Sequence, residues 1–446
     1  MKSNPLLLKV SFLIACLTII FSIYNLGFNV QQSAFKELIA YYIPCFLAYI
    51  LLFFFVKKEN TIWSLVGLGI LLRFLLIFSF PNLSDDIYRF IWDGNLIING
   101  INPFNHLPSY FIDNQLHIPG ITKELFDELN SPNYFTIYPP VCQGIFAIAC
   151  WIFPESWIGS AIVMKSFMFA FECGSIFLII KLLRHFEMPF KNVLLYALNP
   201  LVIIEITGNL HFEGAMVFFL LLSIWFLIKS LFKLSAIAIA FSIASKLLPL
   251  IFLPFLIRRL GWKKSFQYFT IIGVTLITLF SPLLNDIFIQ NFGKSLDLYF
   301  QKFEFNASIY YLLRWFFQLI TGYNQIATIG PLMGLCVLSG VIIYTIKEDK
   351  LTFESLFKAM LFSICLYLFL ATTIHPWYVI LPLIFSIFTS FRFPVIWSGL
   401  IFLTYINYSY PVYFENLWVV GIEYSIVFGF LIWEFSKLKK GDIVAD

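Results

Sequence analysis

The stretch LSAIAIAFSIASKLLPLIFLPFLI, residues 234–257, decides the kind of fold this chain adopts. Its apolar residues run continuously instead of alternating, which selects helix over strand. Lys246 divides it into two pieces, 234–245 and 247–257, each shorter than the ~20 residues that cross a bilayer at low tilt. Short helices broken at membrane depth line a cavity rather than face lipid. A lone ammonium inside such a run is costly and marks function, the alternative being a structural lysine that snorkels to the interface.

The rest of the chain reads the same way. Of 446 residues, 60% are hydrophobic and only 12% charged, more apolar surface than any soluble domain can bury, so lipid is the solvent. The expected fold is all-α, a polytopic transmembrane bundle of about 12 to 14 spans forming a single domain over residues 1–446. The runs are 6–27, 38–56, 61–80, 158–183, 192–206, 214–229, 234–245, 247–257, 266–284, 327–346, 354–373, 376–390, 394–410 and 417–436. Leu6 to Phe28 is preceded only by Lys2 and followed by no good cleavage site, so it reads as a retained anchor. The seven cysteines lie in apolar stretches without CxxC spacing, which argues against disulfides and zinc. A scattered net charge of +4 gives no footprint for nucleic acid.

Basic clusters orient the bundle. Lys57–Lys58, Lys181–Arg184–Lys191, Lys229–Lys233, Arg258–Arg259–Lys263–Lys264, Lys347–Lys350, Arg392 and Lys437–Lys439–Lys440 all fall on one side under two conditions. Residues 136–154, which start at Pro139–Pro140, must form only a half-helix, and 307–320 must lie in the interface. That side reads as cytoplasmic. Two outer segments follow, 81–135 and 285–325, the second holding the interfacial helix, with short outer turns at 207–213, Lys246, 374–376 and 411–416.

The polar residues gather on that outer side. SDDIYRFIWDGNLIINGINPF, Ser84 to Phe104, packs three aspartates, an arginine, a tyrosine and a tryptophan beside the third run. Ser84 reads as an N-cap, with Asp85 and Asp86 in the first turn of a juxtamembrane helix lying at the interface. Gly100 and Pro103 end that helix. Dipole capping by the aspartates and an Arg89–Asp93 ion pair are the plain reading.

The stretch resembles the first outer loop of GT-C superfamily membrane glycosyltransferases, in particular the bacterial polyprenyl-phosphate-sugar-dependent mannosyltransferase-like group. The pattern is Asp-Asp, Tyr, Arg, Trp-Asp-Gly, then Gly-x-Asn-Pro-aromatic. YPPVCQGIFA (138–147), ALNPLVIIEITGNLHFEGAM (197–216), ASKLLPLIFLPF (244–255), FNASIYYLLRW (305–315) and HPWYVILPL (375–383) follow in order. The resemblance implies transfer of a sugar, with mannose the expected one, from a polyprenyl phosphate carrier to an acceptor on the outer face, with inversion. It implies that 81–135 is the catalytic loop and that Asp85 or Asp86 is the base, Asp85 preferred because it stands first after the span. Partial desolvation and a neighbouring carboxylate would raise the pKa of such a base.

The other candidate residues follow. Arg89, Lys246, His375, Tyr88, Trp92, Tyr138 and Arg314 are expected to bind the phosphate or the sugar of the donor. Asp93, Asn102, Asn199, Glu205, His211, Glu213, Trp377 and Tyr378 are expected to supply acceptor or pocket contacts. Glu205 and Glu213 bracket His211, so a divalent metal, Mg2+ or Mn2+, is left open. The partners implied are a polyprenyl-phosphate-linked sugar, a glycan, lipid or protein acceptor, and membrane lipids. The Phe- and Ile-rich, Lys-biased composition points to a bacterial plasma (inner) membrane with a periplasmic active site.

Two rival classes stand. A transporter or flippase for lipid-linked sugars would start from the intramembrane charges Arg73, Lys165 and Glu172. A glycan polymerase or ligase would use a large basic outer loop, whereas 81–135 is net acidic.

Overall fold

The computed structural model describes residues 5–412 and 414–439. Lys2 and Lys440, counted above among the flanking charges, lie outside the described residues. Along the chain run α1 (Pro5–Phe28), α2 (Phe35–Phe55), α3 (Glu59–Leu76), α4 (Asp86–Ile98), α5 (Pro140–Ile152), α6 (Trp157–His185), α7 (Glu213–Ile228), α8 (Phe232–Ser245), α9 (Ile326–Lys347), α10 (Phe353–Leu370) and α11 (Leu417–Lys439). Further helices join them, the longest of them Trp262–Phe280 with 19 residues. Among the described residues no strand forms, only isolated bridges at Ile118–Ile121 and Phe305–Thr373.

Seven of these helices, α1–α3, α6 and α9–α11, are long and apolar enough to cross a membrane, and a pair bent by 43°, Phe190–Ala197 and Pro200–Gly208, makes an eighth. The expected count of about 12 to 14 is therefore too high by this measure. Most remaining runs are short helices, such as α5, α7, α8 and Pro376–Ile387, while the run 266–284 forms the 19-residue helix Trp262–Phe280. Residues 136–154 do form a half-helix: α5 has 13 residues, about 20 Å at 1.5 Å per residue. Ile309–Thr321, also 13 residues, is equally too short to span. It exposes Leu312, Trp315, Leu319 and Ile320 and buries Tyr310 and Tyr311, as an interfacial helix does.

The bent pair shows how charge inside the bundle is used. Pro200 brings no N–H, and Asn199 caps the restart by accepting from Leu201 N at 3.0 Å. The carbonyls freed at the break are taken by Arg73, which donates to Ala197 O at 2.6 Å and Tyr196 O at 3.2 Å while Nε pairs with Glu172 at 2.7 Å. A Cβ on Gly69 would lie 2.1 Å from Ala197 O, so only glycine lets α3 pass the break this closely. Lys165 likewise closes the end of α3, donating to Leu76 O at 3.1 Å and to Ser79 O at 2.7 Å.

Basic residues collect at one end. Arg184 pairs with Glu59 at 3.2 Å and Arg259 with Glu348, and Phe186 packs on Phe353 and Phe357 to bring the two pairs to the same end. The irregular segments meet at the other end. Asn102 donates to Leu283 O at 2.7 Å, Asn291 to Phe104 O at 2.9 Å and Ser295 to Phe135 O at 3.0 Å. Phe305 exchanges backbone hydrogen bonds with Thr372 and Ile374 at 3.1 and 2.7 Å.

Candidate active site

At the polar end α4 departs from its expected setting. It does not lie at the interface: Ile87 and every residue from Arg89 to Leu96 are buried. It packs along α5, where a Cβ on Gly94 would meet Phe146 O and Cys150 Sγ at 2.6 Å. The glycine of Trp-Asp-Gly is thus a helix-crossing residue. Segment 105–135 closes over the other side, with Phe111 and Phe126 against Trp92. The expected cap is corrected as well. Asp85, not Ser84, is the N-cap residue, and Ser84 Oγ only approaches Asp86 N at 3.4 Å.

The Asp85 carboxylate is open to solvent, and Asp86 accepts from Asn130 Nδ2 at 3.1 Å. Desolvation by the surrounding protein raises the Asp85 pKa above the ordinary carboxylate range, and the charges of Asp86 and Glu128 add to it.

Opposite stands the turn GNLHFEG. A π-helical segment, Ile203–Gly208, precedes it, and Leu210 is held at φ +67°. Such local strain in a non-glycine residue persists only where the surroundings impose it. Its effect is to turn His211 back on Glu205: Nδ1 lies 2.8 Å from the Glu205 carbonyl oxygen and 3.2 Å from Oε2. Donation from Nδ1 leaves Nε2 as a buried acceptor with no hydrogen-bond partner among the described residues. Tyr405 holds the other Glu205 oxygen at 2.9 Å and Asn209 donates to Oε2 at 3.2 Å.

Two further segments complete the site. Lys246, extended just past α8, pairs with Glu213 and lies 5.4 Å from the centre of the Tyr378 ring. The second Glu213 oxygen is buried without a hydrogen-bond partner among the described residues. His375 is the N-cap of the turn that Pro376 begins. Phe305, His375, Trp377 and His211 stack in series, with centroids 4.7, 4.6 and 3.6 Å apart. Burial drives the His375 pKa from 6.5 to about 3; Asp86 opposes this, while His211 and Lys246 reinforce it. These four groups are therefore within electrostatic reach of one another, and His375 is neutral.

Seven expected residues thus come together, Asp86, His211, Glu213, Lys246, His375, Trp377 and Tyr378, with Asp85 next to Asp86 at the head of α4. Glu205 supports them from below. Tyr88 lines the rim, edge-on to Trp157 at 5.5 Å, and Tyr138 packs edge-on to Phe90 at 4.8 Å. Six others are placed differently. Arg89 pairs with Asp93 at 2.9 Å and donates to Ser131 O and Tyr134 O at 3.2 and 2.9 Å, and Asp93 also accepts from Gln143 at 2.9 Å. Trp92 is enclosed by the loop. Asn102 ties the two large loops, Asn199 caps a helix, and Arg314 pairs with Glu304 and lies 4.4 Å from the Tyr311 ring centre. Glu128, Asn130 and Tyr405 were not foreseen. They come from irregular or uniformly apolar sequence that carries no motif.

Among the described residues no three His, Cys, Asp or Glu side chains form a metal-binding group. Glu205 and Glu213 are drawn to different partners, and no step below is routed through a metal.

A multi-pass helical membrane protein with this polar end fits the class of integral-membrane transferases. Residues 45–261, which carry both aspartates, His211, Glu213 and Lys246, match the family model described as alpha-(1->6)-mannopyranosyltransferase, N-terminal domain. That match covers just under half of the chain; it makes residues 45–261 similar to a GT-C-type mannosyltransferase family and supports a membrane mannosyltransferase, hence a hexosyltransferase. No curated protein and no solved structure matches the chain.

Proposed function

We propose that this protein moves mannose from a polyprenyl phosphate carrier to an acceptor hydroxyl at the outer, periplasmic face of the plasma membrane. The observation that carries this reading is the convergence of the Asp86 carboxylate, next to the open Asp85, with a lysine and a neutral histidine at the end opposite the basic residues. A charge asymmetry of this kind supports an outward-facing site.

Asp85 takes the proton of the acceptor hydroxyl as its oxygen attacks the anomeric carbon. The bond from that carbon to the carrier phosphate breaks, its electron pair stays on the phosphate oxygen, and the configuration inverts. Lys246 neutralises the phosphate, and Glu213 holds the ammonium in place between turnovers. Asp86, fixed by Asn130, orients the acceptor. His375 cannot repel Lys246 by its own charge and is free to hydrogen-bond a sugar hydroxyl, while Trp377 and Tyr378 give the ring apolar faces. Beside Tyr378 a small cavity of about 40 Å3, lined by Gly330, Met333, Gly334 and Val337 of α9, suits the first apolar units of the carrier chain.

The transporter reading needs free charge along the bundle. Arg73, Glu172 and Lys165 are instead spent on helix ends.

The test uses full-length protein in lipid nanodiscs with a panel of radiolabelled polyprenyl-phosphate sugars. Transfer or release from the mannose donor, lost in Asp85→Asn, supports the reading. Turnover unchanged in both Asp85→Asn and Asp86→Asn overturns the assignment of the base. Absence of donor binding altogether overturns the donor.

A further inference from the structure

A second site lies at the basic end, away from the transfer chemistry. An open groove of about 480 Å3 runs beside the last turns of α9 and the segment that leads to α10. Its upper wall is apolar, made by Gly340, Ile343 and Tyr344, and Ile343 lies on the face of α9 that also turns Leu335, Leu338, Ile342 and Ile346 outward. Its floor is charged, with Lys347, Lys350, Glu348 and Asp349.

The charges are not equivalent. Glu348 is consumed by Arg259, which also donates to Ser355 at 2.9 Å. Arg258 donates to the carbonyls of Thr345, Ile346 and Glu348 at 2.8, 2.9 and 2.6 Å, and so closes the end of α9. Lys347 and Lys350 are exposed and make no side-chain hydrogen bond or ion pair within the described residues. Only Asp349 opposes them. The groove therefore pairs an apolar wall at membrane depth with two uncommitted ammonium groups at its mouth, and its volume is that of a ligand site rather than a packing defect.

We infer that this groove binds an anionic phospholipid, with the acyl chains along Gly340 and Ile343 and the headgroup phosphate on Lys347 and Lys350. A zwitterionic lipid would fill the apolar wall but carries no net charge to meet the lysines. Basic pockets between helices at a membrane surface select acidic headgroups for this reason. The inference does not depend on the sugar, the donor or the identity of the base.

The experiment is native mass spectrometry of the full-length protein released from nanodiscs of phosphatidylcholine alone or mixed with phosphatidylglycerol. Wild type is expected to retain a phosphatidylglycerol adduct in preference to phosphatidylcholine. Retention should fall about fivefold for each lysine removed in Lys347→Gln and Lys350→Gln. Asp349→Asn, an exposed change remote from any packing, should strengthen it. Equal retention in the double lysine variant, or no gain in Asp349→Asn, would overturn the site and assign the lipid to the general hydrophobic belt.

Discussion

Two regions of this molecule bury charge, and they do so to opposite ends. In the middle of the bundle Arg73, Glu172 and Lys165 are fully enclosed, and their hydrogen bonds go to backbone carbonyls, to Ser79 and Thr207, and between Arg73 and Glu172. At the polar end the charges are left incomplete. Among the described residues one Glu213 oxygen and the imidazole nitrogens His211 Nε2 and His375 Nδ1 have no hydrogen-bond partner, and Asp85 stands open. A buried polar atom without a partner costs on the order of 1–3 kcal/mol, so a fold that keeps three of them in one place is shaped for something that arrives later. A closed charge holds the fold, and an open one waits for a ligand.

The sharpest way to break this contrast is Asp85→Asn. Turnover should fall roughly 10²–10⁴-fold, the range for loss of a general base, with no loss of thermal stability. Partial desolvation and like charge raise the Asp85 pKa, so its ionised form costs the folded state stability as pH rises from the unfolded to the folded pKa. The amide removes that cost. A loss of folded protein in this variant would place Asp85 with the closed charges. Arg73→Leu should do the reverse, destabilising by about 3–5 kcal/mol because Glu172 is left uncompensated. Any protein that survives should keep its turnover per folded molecule, as read by a thermal-shift assay beside single-turnover rates.

Lys246→Gln lies between these extremes. Loss of a charge-assisted contact to phosphate is expected to raise the apparent donor KM by about 10- to 100-fold, with a smaller change in kcat. Titration sharpens the comparison further. The rate should rise with pH along an acid limb above the ordinary carboxylate range, since the base must be ionised. Glu128→Gln removes one of the negative charges that raise Asp85 and should move that limb to lower pH; an unmoved limb would dissociate Asp85 from the titration. The smallest effect belongs to Arg314→Gln. Its partner Glu304 makes it part of the scaffold, so stability should change by less than about 1 kcal/mol and donor KM should not move. A large KM effect would return Arg314 to the site.

How much could be read in advance depends on how local the cause is. Lys246 could be identified because one charge in an apolar run is conspicuous without any knowledge of its neighbours. His375 followed by Pro376 states its own N-cap geometry. Asp93, Asn102 and Asn199 look equally polar in the sequence, yet they became structural through Gln143, Leu283 and Ser398, partners 50 to 199 positions away. Arg89 shows both scales: its pairing with Asp93 at i,i+4 was legible, its grip on Ser131 and Tyr134 was not. Glu128 and Tyr405 escaped notice because nothing local distinguishes them from surface acid and apolar filler.

The sequence by itself determined that the chain is a helical membrane protein, because apolar run length and continuity leave no other way to satisfy the backbone in lipid. It also determined which end carries the polar turns, through the distribution of lysine and arginine. Tertiary structure alone decided how many runs cross unbroken and that α4 is enclosed. It alone decided which charges are closed and which are open. Each of those outcomes depends on distances between residues far apart in the chain, and no local pattern encodes such distances.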